Sequence, residues 1–356
     1  MGQSIIAFVV VLGILVFFHE LGHFIVARLC GVGVETFSLG FGPKIYRFKK
    51  GFTEYCLSVI PLGGYVKMVG EQPGESISQE ERGRSFDHKP LYQKALIVAA
   101  GPFFNFFLAI VIFYTIFQFS GIYLIAPVVG GVGEDSPAIK AGVEKGDEIE
   151  AINGIPIASW EEMVEIIGAS RGEAVELTIQ RRDRRFSLSL VPRAREAKNI
   201  FGEPVDRYMI GISASGDVFH EPLNPFQAMF HGVKKSWEIV ELTVLSVVKM
   251  ITGTVSSDNM GGPILIAQMA GKQAEAGMAN FAFFIAMLSI NLGIINLFPV
   301  PVLDGGHLLF FGIEAVRGRA ASEKFREKAN QFGMALLVAL MVFVFYNDII
   351  RIVNGG

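Results

Sequence analysis

One motif constrains this chain more than any other feature: His19-Glu20-Leu21-Gly22-His23 stands inside an apolar run. Residues 5–18 carry no charge, and Phe24-Ile25-Val26-Ala27 resumes the apolar pattern directly after the motif. The stretch 5–29 is long enough to cross a bilayer as a single helix. Residues four apart share a helix face, so His19 and His23 can offer two nitrogens to one zinc ion. Glu20, beside that face, is placed to take a proton from a zinc-activated water. Two imidazoles and a carboxylate at membrane depth are costly unless they serve a function. Such groups can also tie helix to helix without any metal. A catalytic zinc normally has three protein ligands, so a third must come from elsewhere in the chain.

Composition agrees with a bilayer setting. Hydrophobic residues form 51% of the 356 positions and charged residues 18%, an integral membrane composition mixed with soluble material. A formal net charge of −3 without a dense Lys/Arg block gives no sign of nucleic-acid binding. Cys30 and Cys56 have neither zinc-finger spacing nor the makings of a disulfide framework. The first apolar segment lacks a charged leader, and cleavage after it would strand the His-Glu motif, so it is read as retained.

Four segments read as spanning helices: 5–29, about 96–119, about 281–298 and 332–346. Within the second, Pro102 suits the first turn of a helix. The stretch 228–252 is interrupted by Lys234, Lys235, Glu238, Glu241 and Lys249, which favours an amphipathic helix lying on a surface. Lys44, Arg47, Lys49, Lys50, Lys67, Arg82, Arg84, Lys89 and Lys94 lie between the first two spans. Arg317, Arg319, Lys324, Arg326 and Lys328 lie between the last two. The positive-inside rule makes both loops cytoplasmic, leaving both termini and 120–278 outside. The His-Glu motif then lies toward the cytoplasmic end of its helix.

Within the first loop, 44–48 and 53–60 form a strand-like pair around Lys49-Lys50-Gly51. Gly63-Gly64 opens a turn into Tyr65-Val66-Lys67-Met68. An edge strand there could hold an extended substrate by its backbone, or the hairpin could simply pack at the membrane surface. In the outer segment, Ala141-Gly142-Val143-Glu144-Lys145-Gly146-Asp147-Glu148-Ile149 leads to the turn at Asn153-Gly154. Ser159-Trp160-Glu161-Glu162 has the form of a capping box, and 175–179 and 186–190 alternate as a hairpin. This pattern resembles a PDZ domain in the permuted bacterial arrangement. The resemblance implies a peptide groove near 128–132 beside the 159–168 helix.

The third ligand is sought near the end of the third span, in Asn296-Leu297-Phe298-Pro299-Val300-Pro301-Val302-Leu303-Asp304-Gly305-Gly306-His307. Asp304 is the one carboxylate of this segment, and the prolines and glycines break the helix so that it can turn inward. His307 competes for the role but lies past the break. Asn291 and Asn296 serve either as interhelical hydrogen-bond groups or as holders of an unwound substrate backbone.

The paired motifs, with Gly40-Phe-Gly-Pro43, Pro61-Leu-Gly-Gly-Tyr65 and Ala100-Gly-Pro-Phe-Phe-Asn105, resemble the site-2 protease family of intramembrane zinc metalloproteases. Within it, they resemble the bacterial branch typified by the regulator of sigma-E protease. The resemblance implies zinc held by His19, His23 and Asp304, with Glu20 as catalytic base. It also implies that Tyr65, Val66, Lys67, Met68, Asn291 and Asn296 handle an extended substrate. The expected fold is a multi-pass α-helical membrane protein of about four spans, with a membrane-associated β-hairpin and one inserted extracytoplasmic PDZ domain. Its parts are an N-terminal membrane half (1–119), the PDZ domain (120–194), an amphipathic linker (195–278) and a C-terminal membrane half (279–356). Enterobacterial members carry two PDZ domains in tandem; this chain has room for one. The expected function is cleavage of single-pass membrane proteins, such as a pre-trimmed anti-sigma factor, in a bacterial inner membrane. A catalytically idle PDZ scaffold and a metal carrier are the other readings, and neither needs Glu20.

Overall fold

The computed structural model describes residues 2–71, 78–79, 81–256 and 260–354. The chain forms two compact units, Phe117–Gln227 and the remainder, Met1–Ile116 with Ala228–Gly356. Helix α1 (Gly2–Leu29) buries Ala7, Val11, Leu15, Gly22, His23 and Ala27, a stripe at helical spacing that leaves its other side apolar and exposed. Strands β1 (Val34–Lys50) and β2 (Thr53–Met68) are longer than the expected hairpin and pair twice. Phe37 sits opposite Val66 on one side and Tyr55 on the other, while Tyr46 pairs with Leu57 and Lys49 with Glu54. The two strands therefore fold into four side-by-side segments in the order 64–68, 34–39, 54–57, 44–50. Among the described residues, segment 64–68 has a strand partner on one side only, so it is an edge. Phe37 locks this sheet to α1 through edge-on contacts with Phe17 and Phe24.

Helix α2 (Leu91–Ser120) begins earlier than expected, directly after Pro90, so Pro102 lies in its interior rather than in its first turn. The proline removes the donor that would have closed on the Val98 carbonyl. Close packing of α2 against α1 at Gly22 and Gly101 compensates.

The inserted unit holds β3 (Ile122–Ile125), β4 (Val129–Val132), α3 (Pro137–Ala141), β5 (Glu148–Ile152), β6 (Ile155–Pro156), α4 (Trp160–Ala169), β7 (Val175–Arg181) and β8 (Arg184–Leu190). It continues through β9 (Arg193–Lys198), β10 (Pro204–Met209), β11 (Ile212–Ala214) and β12 (Val218–Glu221). A four-stranded sheet in the order β6-β5-β7-β8 packs Ile149, Ile152, Leu177 and Ile179 against Met163 of α4. The expected capping box forms: Glu162 N–H donates to Ser159 Oγ at 3.2 Å, while the Glu162 carboxylate accepts from Ala158 N–H at 2.8 Å. Asn153 (φ 51°) and Gly154 (φ 77°) make the expected turn.

One sequence expectation changes here. The expected boundary at 194 is too early, because β11 pairs with β4 and β12 with β3 inside the same unit. A cavity lies where the groove was expected, near 128–132 and beside the 159–168 helix, with β11 covering one edge of β4. It has a volume of about 630 Å³ and is lined by Gly131 and Val132 of β4, by Trp160, Met163, Val164 and Ile167 of α4, and by Ile212 and Ser213 of β11.

The chain ends in α5 (Pro225–Ile251), α6 (Pro263–Glu275), α7 (Met278–Asn296), α8 (Asp304–Arg317) and α9 (Glu323–Val353). Among the described residues, α1, α2, α7 and α9 are long and apolar enough to cross a membrane. Helix α9 starts well before the expected 332, because charges in the first turns of a helix do not break it. Helix α5 buries only Ala228, Gly232 and Ser236, four residues apart, and lays Gly232 against α2 at Tyr114. The N-terminus of α6 is tied to α9 by buried Asp348, whose carboxylate accepts from the N–H groups of Gly262, Ile264 and Leu265 at 2.8–3.1 Å.

Candidate metal centre

Helix α1 presents His19 and His23 one turn apart toward α2, which approaches closely because both helices lack side chains where they meet. A Cβ on Gly22 would stand 2.3 Å from the Ala100 carbonyl oxygen, and one on Gly101 would stand 2.3 Å from His23 Nε2. The His19 and His23 Nε2 atoms are 3.3 Å apart. His23 Nδ1–H donates to the Ile97 carbonyl at 2.9 Å, which leaves the Nε2 lone pair facing inward.

Asp304 arrives from the break between α7 and α8. Prolines 299 and 301 cannot continue a helix, and Val302 adopts φ 88°, a conformation a β-branched residue takes only under local constraint. The turn is tight enough that glycines must follow it: a Cβ on Gly305 would lie 2.3 Å from the Leu297 and Phe298 carbonyl oxygens, and one on Gly306 2.4 Å from that of Val300. The Asp304 carboxylate then sits 3.2 Å from His19 Nε2 and 3.6 Å from His23 Nε2. Its Oδ2 is buried and has no hydrogen-bond partner among the described residues.

Among the described residues these three side chains form a group able to hold a metal, with ligand atoms all within 4.8 Å of one another. Tetrahedral zinc with arms of about 2.0–2.1 Å needs ligand–ligand edges of about 3.3–3.4 Å. The measured 3.2, 3.3 and 3.6 Å fit that requirement. His307 lines the same cavity but is not part of the group. Burial keeps its pKa below the ordinary value.

The cluster opens on a cavity of about 880 Å³. Glu20 lines it beside the imidazoles, as do Gly64, Tyr65, Val66 and Met68 of the β2 edge. Gly64 matters for fit: a Cβ there would meet Ser38 O at 2.7 Å, Val16 Cγ1 at 2.9 Å and Glu20 Cγ at 3.0 Å. Asp87, Lys94, Glu314 and Arg326 also line the cavity and make one of its walls polar.

Residues 7–340 match peptidase family M50. The chain belongs to that family. It is 38% identical to an Agrobacterium fabrum protein named as a zinc metalloprotease, over 98% of this chain and 96% of that one. It is 33% identical to Protease RseP of Yersinia pestis, over 98% of this chain and 99% of the relative. That alignment spans 447 positions against the 356 residues here, so at least 91 have no counterpart in this M50 protein. A stretch covering 27% of the chain is similar to the PDZ domain of an SdrC-like protein from Listeria innocua, with 26% identity, 99% of that chain covered and a TM-score of 0.21. The chain is accordingly a zinc-dependent metalloprotease.

Other expected site residues lie elsewhere. Lys67 forms an ion pair with Glu35 at 2.6 Å and does not line the cavity. Asn291 accepts a hydrogen bond from the Thr243 hydroxyl at 2.8 Å, and neither it nor Asn296 lines the cavity. Sequence reasoning passed over Gly64, Gly101 and the Ile97 carbonyl. The glycines could have been suspected as points of close helix or strand approach, but a backbone acceptor leaves no trace in the residue types.

Proposed function

We propose that this M50 protease cleaves single-pass membrane proteins within their membrane-spanning segment, with His19, His23 and Asp304 holding zinc and Glu20 acting as base. The observation that carries the reading is the tetrahedral spacing of three ligand atoms drawn from α1 and the start of α8, inside the set of apolar helices. Bound there, zinc supplies a Lewis acid for the scissile carbonyl and acidifies the attacking water. Glu20 accepts the proton of that water and returns it to the leaving nitrogen. A helical peptide bond is closed off by its own hydrogen bonds, so the substrate must be held extended. The one-sided edge at 64–68 supports this role: a substrate strand pairs along Tyr65–Met68 and brings its backbone past the cluster. The polar lining at Asp87, Lys94, Glu314 and Arg326 supports entry of water to a site set among apolar helices.

The basic loops support a reading in which this mouth faces the cytoplasmic side of a bacterial inner membrane and the 117–227 unit lies outside. That unit acts as a PDZ-type filter, taking a substrate's extended end into the groove between α4 and β11. Substrates are those already shortened outside, such as an anti-sigma factor.

The experiment is reconstitution in liposomes with a tagged single-span substrate, comparing the native chain with Glu20→Gln. Cleavage by the native chain, at a bond that mass spectrometry locates inside the span, is expected, with loss of cleavage but retained zinc in the variant. Equal cleavage by both sinks the reading.

A further inference from the structure

Ile97, Gly101 and Asn105 are spaced four apart, so they form one stripe along α2. Both imidazoles lie on that stripe. Gly101 is its bare centre, with room for His23 Nε2 and His19 Cε1 where a side chain would be. At one end the Ile97 carbonyl takes the His23 Nδ1 proton. At the other end lies Asn105, 0% exposed, its side-chain amide 3.1 Å from His19 Nδ1. Its backbone is fixed by the Ser289 hydroxyl, which donates to the Asn105 carbonyl at 2.8 Å.

The chemistry decides which amide atom must face the ring. With Nδ2 toward His19, Oδ1 is buried with no partner among the described residues. A histidine that offers its Nε2 lone pair to a metal carries its proton on Nδ1. That N–H needs an acceptor, and an amide NH₂ is not one. The two ends of an amide have the same outline, so rotation by half a turn brings Oδ1 onto Nδ1–H without moving the backbone. The orphaned oxygen then has its donor.

We infer that Asn105 is a positioning residue for the metal centre, its Oδ1 accepting from His19 Nδ1–H and so fixing the tautomer and ring plane that aim Nε2 at the ion. The inference rests on the metal-ligand reading above. It makes α2 the common outer support of both histidines, with a backbone carbonyl behind one and an amide oxygen behind the other.

The test uses the full chain in detergent, stripped of metal and titrated with zinc against a competing chelator, then with cobalt(II) to record the ligand-field spectrum. Asn105→Leu, or Asn105→Ala where the leucine variant does not fold, should bind zinc about 10–100-fold more weakly and alter the cobalt spectrum. Asn105→Asp keeps an acceptor at the same place and should hold zinc within a few-fold of the native chain, with the native spectrum. Native zinc affinity and spectrum in the leucine or alanine variant overturn the inference, and so does an aspartate variant as weak as they are. A native chain that takes up no zinc overturns the metal-site reading itself.

Discussion

Gly101 offers the most direct way to disturb the metal centre without touching a ligand. In Gly101→Ala the new methyl would lie 2.3 Å from His23 Nε2, 2.6 Å from His23 Cε1 and 2.9 Å from His19 Cε1. Ordinary contact begins at about 3.5 Å, so the His23 ring must retreat by about 1 Å. Metal–ligand distances tolerate only about 0.2 Å. The ring cannot satisfy both, and one ligand is lost or badly aimed. Zinc affinity is expected to fall at least about 100-fold, or about 2.8 kcal/mol at 1.4 kcal/mol per decade. The fold itself should survive. Alanine improves an α2 interior position by about 0.5–1 kcal/mol, which offsets much of an overpacking cost of about 1–3 kcal/mol. The assay is zinc occupancy against graded chelator, beside thermal melts of metal-free protein. Native zinc affinity in Gly101→Ala would refute the close approach of α2 to the histidines.

Two other outcomes follow from separate features. Gly64→Ala pushes Ser38, Val16 and Glu20 from the β2 edge; kcat should fall about 100-fold while zinc binding stays native, and unchanged turnover would show that the edge is not seated against Glu20. Asp348→Ala strips three α6 N–H groups of their acceptor and should destabilise the protein by about 2–3 kcal/mol in chemical melts while leaving zinc affinity alone; a native melt contradicts the assigned cap.

What was legible in the sequence was local chemistry. The His-x-x-x-His spacing follows from helical period alone, and the segment 296–307 has Asp304 as its one carboxylate. Runs without charge marked the four long helices because bilayer length is a simple constraint. Pairing across long separations was not legible. Strand β11 completes the inserted unit by joining β4 some eighty residues earlier, and nothing in Ile212–Ala214 announces that partner. The double pairing of Phe37 with Val66 and Tyr55 depends on how β2 curls back, not on alternation of residue types. Pro102 misled for a related reason: a helix tolerates an interior proline when tertiary packing holds it, and that packing is supplied by Gly22 and Gly101. Asn105 was visible as a polar residue in an apolar helix, but its partner His19 lies 86 residues away.

Ligand atoms from α1 and the start of α8 converge on a site for one ion. Zinc X-ray absorption on the purified chain, paired with metal analysis of Asp304→Ala, tests it most directly. One zinc per chain bound by two imidazoles and a carboxylate oxygen, with loss of tight binding in the variant, is the expected result. Zinc held as tightly without the Asp304 carboxylate would contradict the account.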